Sequence, residues 1–122
     1  MADTVEDFGG TPVFVCDPAG EPVRGEQDAT DLIGNAYYQG ASWVAVPAER
    51  LGDDFFRLST KVAGGIVQKF ANYRMGLAVL GDIDRHVAGS TALRDFVAES
   101  NRGRQLWFLR DAEALRGKLA GE

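Results

Sequence analysis

The chain has one cysteine, one histidine and four prolines among 122 residues. With Cys16 alone no intrachain disulfide can form, and flanked by Val13 and Val15 it reads as a small core residue rather than a nucleophile. His86 has no second histidine with which to build a zinc site. No stretch approaches the roughly 20 apolar residues that a membrane span needs. Met1–Gly10 is acidic and lacks the apolar run of a signal peptide. A Gly-rich phosphate loop, a dinucleotide fingerprint and a Gly-x-Ser-x-Gly elbow are also missing. Basic excess is missing too: 13 Lys and Arg stand against 18 Asp and Glu, a net charge of −5. Nucleic acid is therefore not expected as the partner, since phosphate neutralisation supplies most of such affinity. These absences imply a cytoplasmic protein with no membrane attachment, no cofactor and no resident metal.

What is present suits one α/β domain. Hydrophobic residues make up 45% and charged residues 25%, ordinary for a globular fold. Residues 1–10 read as a flexible lead-in ending at Gly9-Gly10, with a single domain over 11–122. Val13–Cys16 forms a strand, Asp17-Pro18-Ala19-Gly20 a turn, and Pro22–Arg24 a second short strand that would complete an N-terminal hairpin. A helix follows, capped by Asp28, with Leu32, Ile33, Ala36 and Tyr37 as its buried stripe and Gly40 past its end. The apolar runs Ser42–Val46, Met75–Leu80 and Gln105–Leu109 read as fully buried strands. Helices alternate with them: a long one from Asp53 or Asp54 to about Asn72, one capped by Ser90 or Thr91, and a closing one capped by Asp111. The predicted order is β-β-α-β-α-β-α-β-α around a mostly parallel sheet.

The long helix carries most of the information. At 100° per residue Phe55, Leu58, Val62, Ile66 and Phe70 form one apolar spine, with Ser59 near its middle. Arg57, Lys61, Gly64 and Gln68 cluster on the opposite face, flanked by Gly65 and Asn72. Two adjacent glycines inside a helix cost about 1 kcal/mol each relative to alanine. Such a cost on an outer face is expected where another backbone or a ligand approaches closely.

Two further clusters draw attention. Glu99-Ser100-Asn101-Arg102-Gly103-Arg104 is dense in hydrogen-bonding groups for a connecting turn, suited to clamp an anion or to tie helix to strand. Asp95 and Glu99, one helical turn apart, read as a solvated face offset by Arg94 and Arg102. Beyond the carboxyl ends of the parallel strands, where ligands tend to bind, lie Asp82, Asp84, His86 and Arg110. Asp82-x-Asp84-x-His86 is metal-capable in type, although such residues also form turns.

Asp54-Phe55-Phe56-Arg57-Leu58-Ser59-Thr60, Ala63-Gly64, Gln68–Arg74, Gly81-Asp82, Leu93-Arg94-Asp95-Phe96 and Glu99–Gln105 together resemble the bacterial domain-of-unknown-function family 4180. The resemblance implies a fold and no activity. The element order is also similar to STAS-type regulatory domains, by analogy of topology alone. Such domains often carry a regulatory serine at the start of the helix after the third strand, and Pro47–Asp54 offers none. The leading expectation is a non-enzymatic regulatory or scaffold module. It would bind a protein partner, or itself, through Arg57, Lys61, Gly64, Gly65, Gln68, Asn101, Arg102 and Arg104. The alternative is a small-molecule, anion or metal-binding domain or minor hydrolase, using Asp82, Asp84, His86 and Arg110.

Overall fold

Short β-branched apolar runs without alternation suit strands covered on both faces, and the chain arranges them so. The computed structural model describes residues 3–121. It contains five strands, β1 (Thr4–Phe8), β2 (Thr11–Val15), β3 (Trp43–Pro47), β4 (Gly76–Leu80) and β5 (Leu106–Leu109). They lie side by side in chain order. β1 and β2 are antiparallel, and β2 through β5 are parallel. The result is a single α/β domain with a mostly parallel sheet and an N-terminal hairpin.

The hairpin is not the one the sequence suggested. Residues 4–8, expected to be a loose lead-in, pair with β2, and Pro22–Arg24 forms no strand. Gly9 and Gly10 take φ of 63° and 100°, the two positive values that a two-residue hairpin turn requires. Val5 packs into the main core and Phe8 into the smaller one on the other face. The exposed Glu6 and Asp7 between them disguise the strand. Met1, Ala2 and Glu122 lie outside the described residues.

Among the described residues six α-helices accompany the sheet: α1 (Glu26–Tyr38), α2 (Gly52–Phe56), α3 (Val62–Asn72), α4 (Asp84–Ala88), α5 (Thr91–Arg102) and α6 (Ala112–Ala120). One face packs against α1, α2, α3 and α5 through Phe14, Val44, Val46, Leu77, Val79 and Phe108. The other is crossed by α6, whose Leu115 is buried with Phe8, Val13, Trp43 and Trp107. Trp43 lies flat where a side chain at Gly76 would be and stacks on Trp107 with centroids 4.2 Å apart. Ser90 and Asp111 cap α5 and α6 as expected, accepting from Leu93 N–H and Ala114 N–H. At α1 the carboxylate of Asp28 sits inside the first turn and accepts from Arg24 N–H, so the helix starts earlier than a cap at Asp28 implies.

The expected long helix is broken. α2 ends at Phe56, a 3₁₀ turn covers Leu58–Thr60, and Lys61 adopts φ 68° before α3 begins. The hydroxyl of Thr60 holds the break, reaching the carbonyls of Asp54 and Arg57 at 2.7 and 2.8 Å while accepting from Val62 N–H. The apolar spine survives because Phe55, Phe56, Ala63, Ile66 and Phe70 all still reach the core. Ser59, expected on that buried face, is exposed.

Candidate functional site

The turn after α5 is a structural lock. Leu77 N–H donates to the Gln105 carbonyl and Gly81 N–H to that of Leu109, so the peptide groups of Phe108 point away from the sheet. The side-chain amide of Asn101 meets them as a neighbouring strand would. Its Oδ1 accepts from Phe108 N–H at 2.7 Å and its Nδ2 donates to the Phe108 carbonyl at 3.2 Å. Trp107 Nε1 donates to the Gly103 carbonyl at 2.7 Å, and Gln105 Nε2 to that of Met75 at 2.8 Å. Arg102 pairs with Glu99 at 3.0 Å. Of the two readings open for this segment, tying helix to strand is the one these bonds perform.

The break at Lys61 also divides the expected partner face. Arg57 lies before it, paired with Asp54 at 3.9 Å, while Gly64, Gly65 and Gln68 belong to α3. A Cβ at Gly64 would meet nothing within 4 Å, whereas one at Gly65 would strike the Glu26 side chain of α1. Gly65 is thus explained by close packing of α1 on α3, and Gly64 is not. Gln68 bonds to Asn72 on the exposed side of α3. Because α3 runs against the strands, Gly64 lies near their carboxyl ends and Asn101–Arg104 near their amino ends. The two halves of the expected surface are not brought together.

The residues of the alternative site separate as well. Asp82, Asp84 and Arg110 line one cleft of about 350 Å³. His86 lines another of about 490 Å³ with Arg57, Ser59, Arg85 and Ser90. Asp82 Oδ1 accepts from Asp84 N–H, the bond of a turn-forming aspartate. His86 stacks on Phe56, centroids 4.1 Å apart; partial burial and then the charge of Arg85 lower its pKa, against the pull of Asp53. Arg85 is 3.4 Å from Asp53, so the cations of this cleft face carboxylates of their own. Among the described residues no group of three or more His, Cys, Asp or Glu is arranged to hold a metal ion.

Two polar features inside the fold are also structural. Arg50, 6% exposed, is the buried charged side chain among the described residues. It donates to the carbonyls of Glu21 and Asp17 and lies 3.3 Å from Asp3, fastening the 17–23 loop over the end of β3. Cys16 beside it has its thiol pushed up to about 12 by burial and, secondly, by the charge of Asp3, with Arg50 opposing. It remains a thiol at neutral pH.

One surface is left without an explanation from folding. Tyr37, expected in the buried stripe of α1, is 67% exposed; Tyr38 is 93% and Tyr73 50% exposed. With Thr30, Ile33 and Gly34 they border a cleft of about 550 Å³ between the ends of α1 and α3. Gly34, like Gly64, has open space where a side chain would stand. Helix periodicity carries this surface along Gln27, Asp31, Gly34 and Tyr38 of α1 and along Gly64, Gln68 and Asn72 of α3. The sequence held a partial signal for it: at about 100° per residue Tyr38 falls opposite the stripe of Leu32, Ile33 and Ala36, whereas Tyr37 falls at its edge.

Fold and surface together define a small α/β domain with a lock at one end of its sheet and a tyrosine-bordered helical face. The chain matches, over residues 8–119, the family described as Domain of unknown function (DUF4180), and it belongs to that family. No curated protein and no solved structure matches it. No helix among the described residues is long and apolar enough to cross a membrane.

Proposed function

We propose that the chain is a non-enzymatic regulatory or scaffold module that works by protein–protein contact through the outer face of α1 and α3. The observation that carries this reading is the cluster of Tyr37, Tyr38 and Tyr73 at the surface around an apolar cleft. Tyrosine is enriched and charge depleted at the centres of protein interfaces, because a large ring buries much area at little conformational cost. The open glycines Gly34 and Gly64 keep the neighbouring strip low, and Gly64 and Gln68 were already singled out by their pattern in the sequence. The ligand-site alternative has weaker support, since its residues fall in two clefts and its cations sit beside aspartates. A photo-crosslinking residue at position 38, with a control at the exposed Glu113 of α6, tests the proposal in the cells that make the protein. Protein adducts from position 38 that are absent at 113, and diminished by Gly64→Leu, are expected. Equal labelling at both positions, or none at 38, overturns it.

A further inference from the structure

The partner of that face follows from how its charges are arranged. α1 carries Glu26, Asp28 and Asp31 and no base, whereas residues 61–74 carry Lys61, Lys69 and Arg74 and no acid. Each helix links two parallel strands on the same side of the sheet, so the two run parallel. The first residue of α1, Glu26, lies against Gly65 and pairs with Lys69 one turn further along α3 at 3.8 Å, and the two helix ends meet at Tyr37, Tyr38 and Tyr73. Glu26 and Lys69 satisfy each other within the chain and Asp28 is held by Arg24 N–H, so the face offers exposed Asp31 on the α1 side and exposed Lys61 and Arg74 on the α3 side, with aromatic rings at one end.

A two-fold axis lying between these helices and parallel to them sets each α1 over the α3 of a second copy. Tyrosines then pack on tyrosines, and acid faces base on both sides of the axis. Isologous pairing demands such self-complementarity, which a uniformly charged partner would not match. Resting on the contact reading above, we infer that the occupant of the α1–α3 face is a second copy of this chain, in a symmetric dimer. Helices of 13 and 11 residues, up to about 20 Å long and 12 Å across each, offer on the order of 500 Å² of projected surface per copy. That places the dimer among weak, reversible associations rather than obligate ones.

Sedimentation equilibrium from about 10 μM to 1 mM, the span that so small an interface calls for, should show the mass rising from 13.2 kDa towards twice that value. Asp31 and Arg74 are exposed and serve as the probes, with thermal melts verifying that each variant folds. Asp31→Arg and Arg74→Asp should each weaken association at least tenfold, and mixing the two variants should restore it, because each reversed charge then meets its opposite. A mass that stays at the monomer value while position 38 still cross-links to another protein overturns self-pairing and leaves the contact reading standing. Loss of both signals removes both. Self-association that is unaffected by either charge reversal, or that mixing fails to restore, overturns the arrangement.

Discussion

The turn from Asn101 to Trp107 and the tyrosine face of α1 and α3 are opposites in how they present themselves. The turn has the denser motif, with asparagine, arginines, glycine, glutamine and tryptophan in seven positions, and its main side-chain bonds close within the fold. The tyrosine face has almost no motif, yet it leaves large rings in water where folding would have hidden them. Specific residues at specific spacing show only that something must be held in place. Function is better sought where a side chain's cost is not repaid inside the molecule.

That contrast can be broken by measurement, beginning with the turn. Trp107→Ala removes a fully buried ring stacked on Trp43 and should lower unfolding free energy in urea by about 3–5 kcal/mol. Asn101→Ala strands the outward peptide groups of Phe108 and should cost about 1–3 kcal/mol. Both changes should leave the dimerisation constant of the folded fraction where it was. A turn variant that folds normally and loses association would reverse the comparison.

The helical face should behave the other way. Gly64→Ala places a methyl in open space and should stabilise the chain by about 1 kcal/mol through helix propensity. A loss of stability there would reveal a contact that the structure does not contain. Tyr38→Ser should change stability by no more than about 0.5 kcal/mol while reducing the mass observed at high concentration. A large loss of stability from this exposed ring would make it part of the core and sink its assignment as a contact residue.

Much of the architecture was legible in the sequence. β3, β4 and β5 fall within a residue or so of the apolar runs Ser42–Val46, Met75–Leu80 and Gln105–Leu109, because burial on both faces leaves few polar interruptions to mislead. The hairpin was less legible, since Glu6 and Asp7 tolerate the solvent side of an edge strand and look like a tail. The break before α3 left almost no trace. Spacings of three and four run unbroken from Phe55 to Phe70, and the residue that turns the chain is a lysine at positive φ, where a glycine would have announced the bend. The tyrosine face was hidden for a different reason: a hydrophobic pattern shows which rings are fit for a core, and only the folded chain shows that Tyr37 stays outside it.

The amide of Asn101 reaches beyond the stability of one turn. A parallel sheet ending in Leu106–Leu109 would offer its outer peptide groups to any passing strand, and exposed edges of this kind seed fibres and open-ended polymers. Asn101 occupies that margin, and Glu6 and Asp7 on β1 place charge at the other. Growth by strand addition is therefore discouraged in both directions. The two-fold contact proposed for the helices would, by contrast, use up its own surface and stop at a pair.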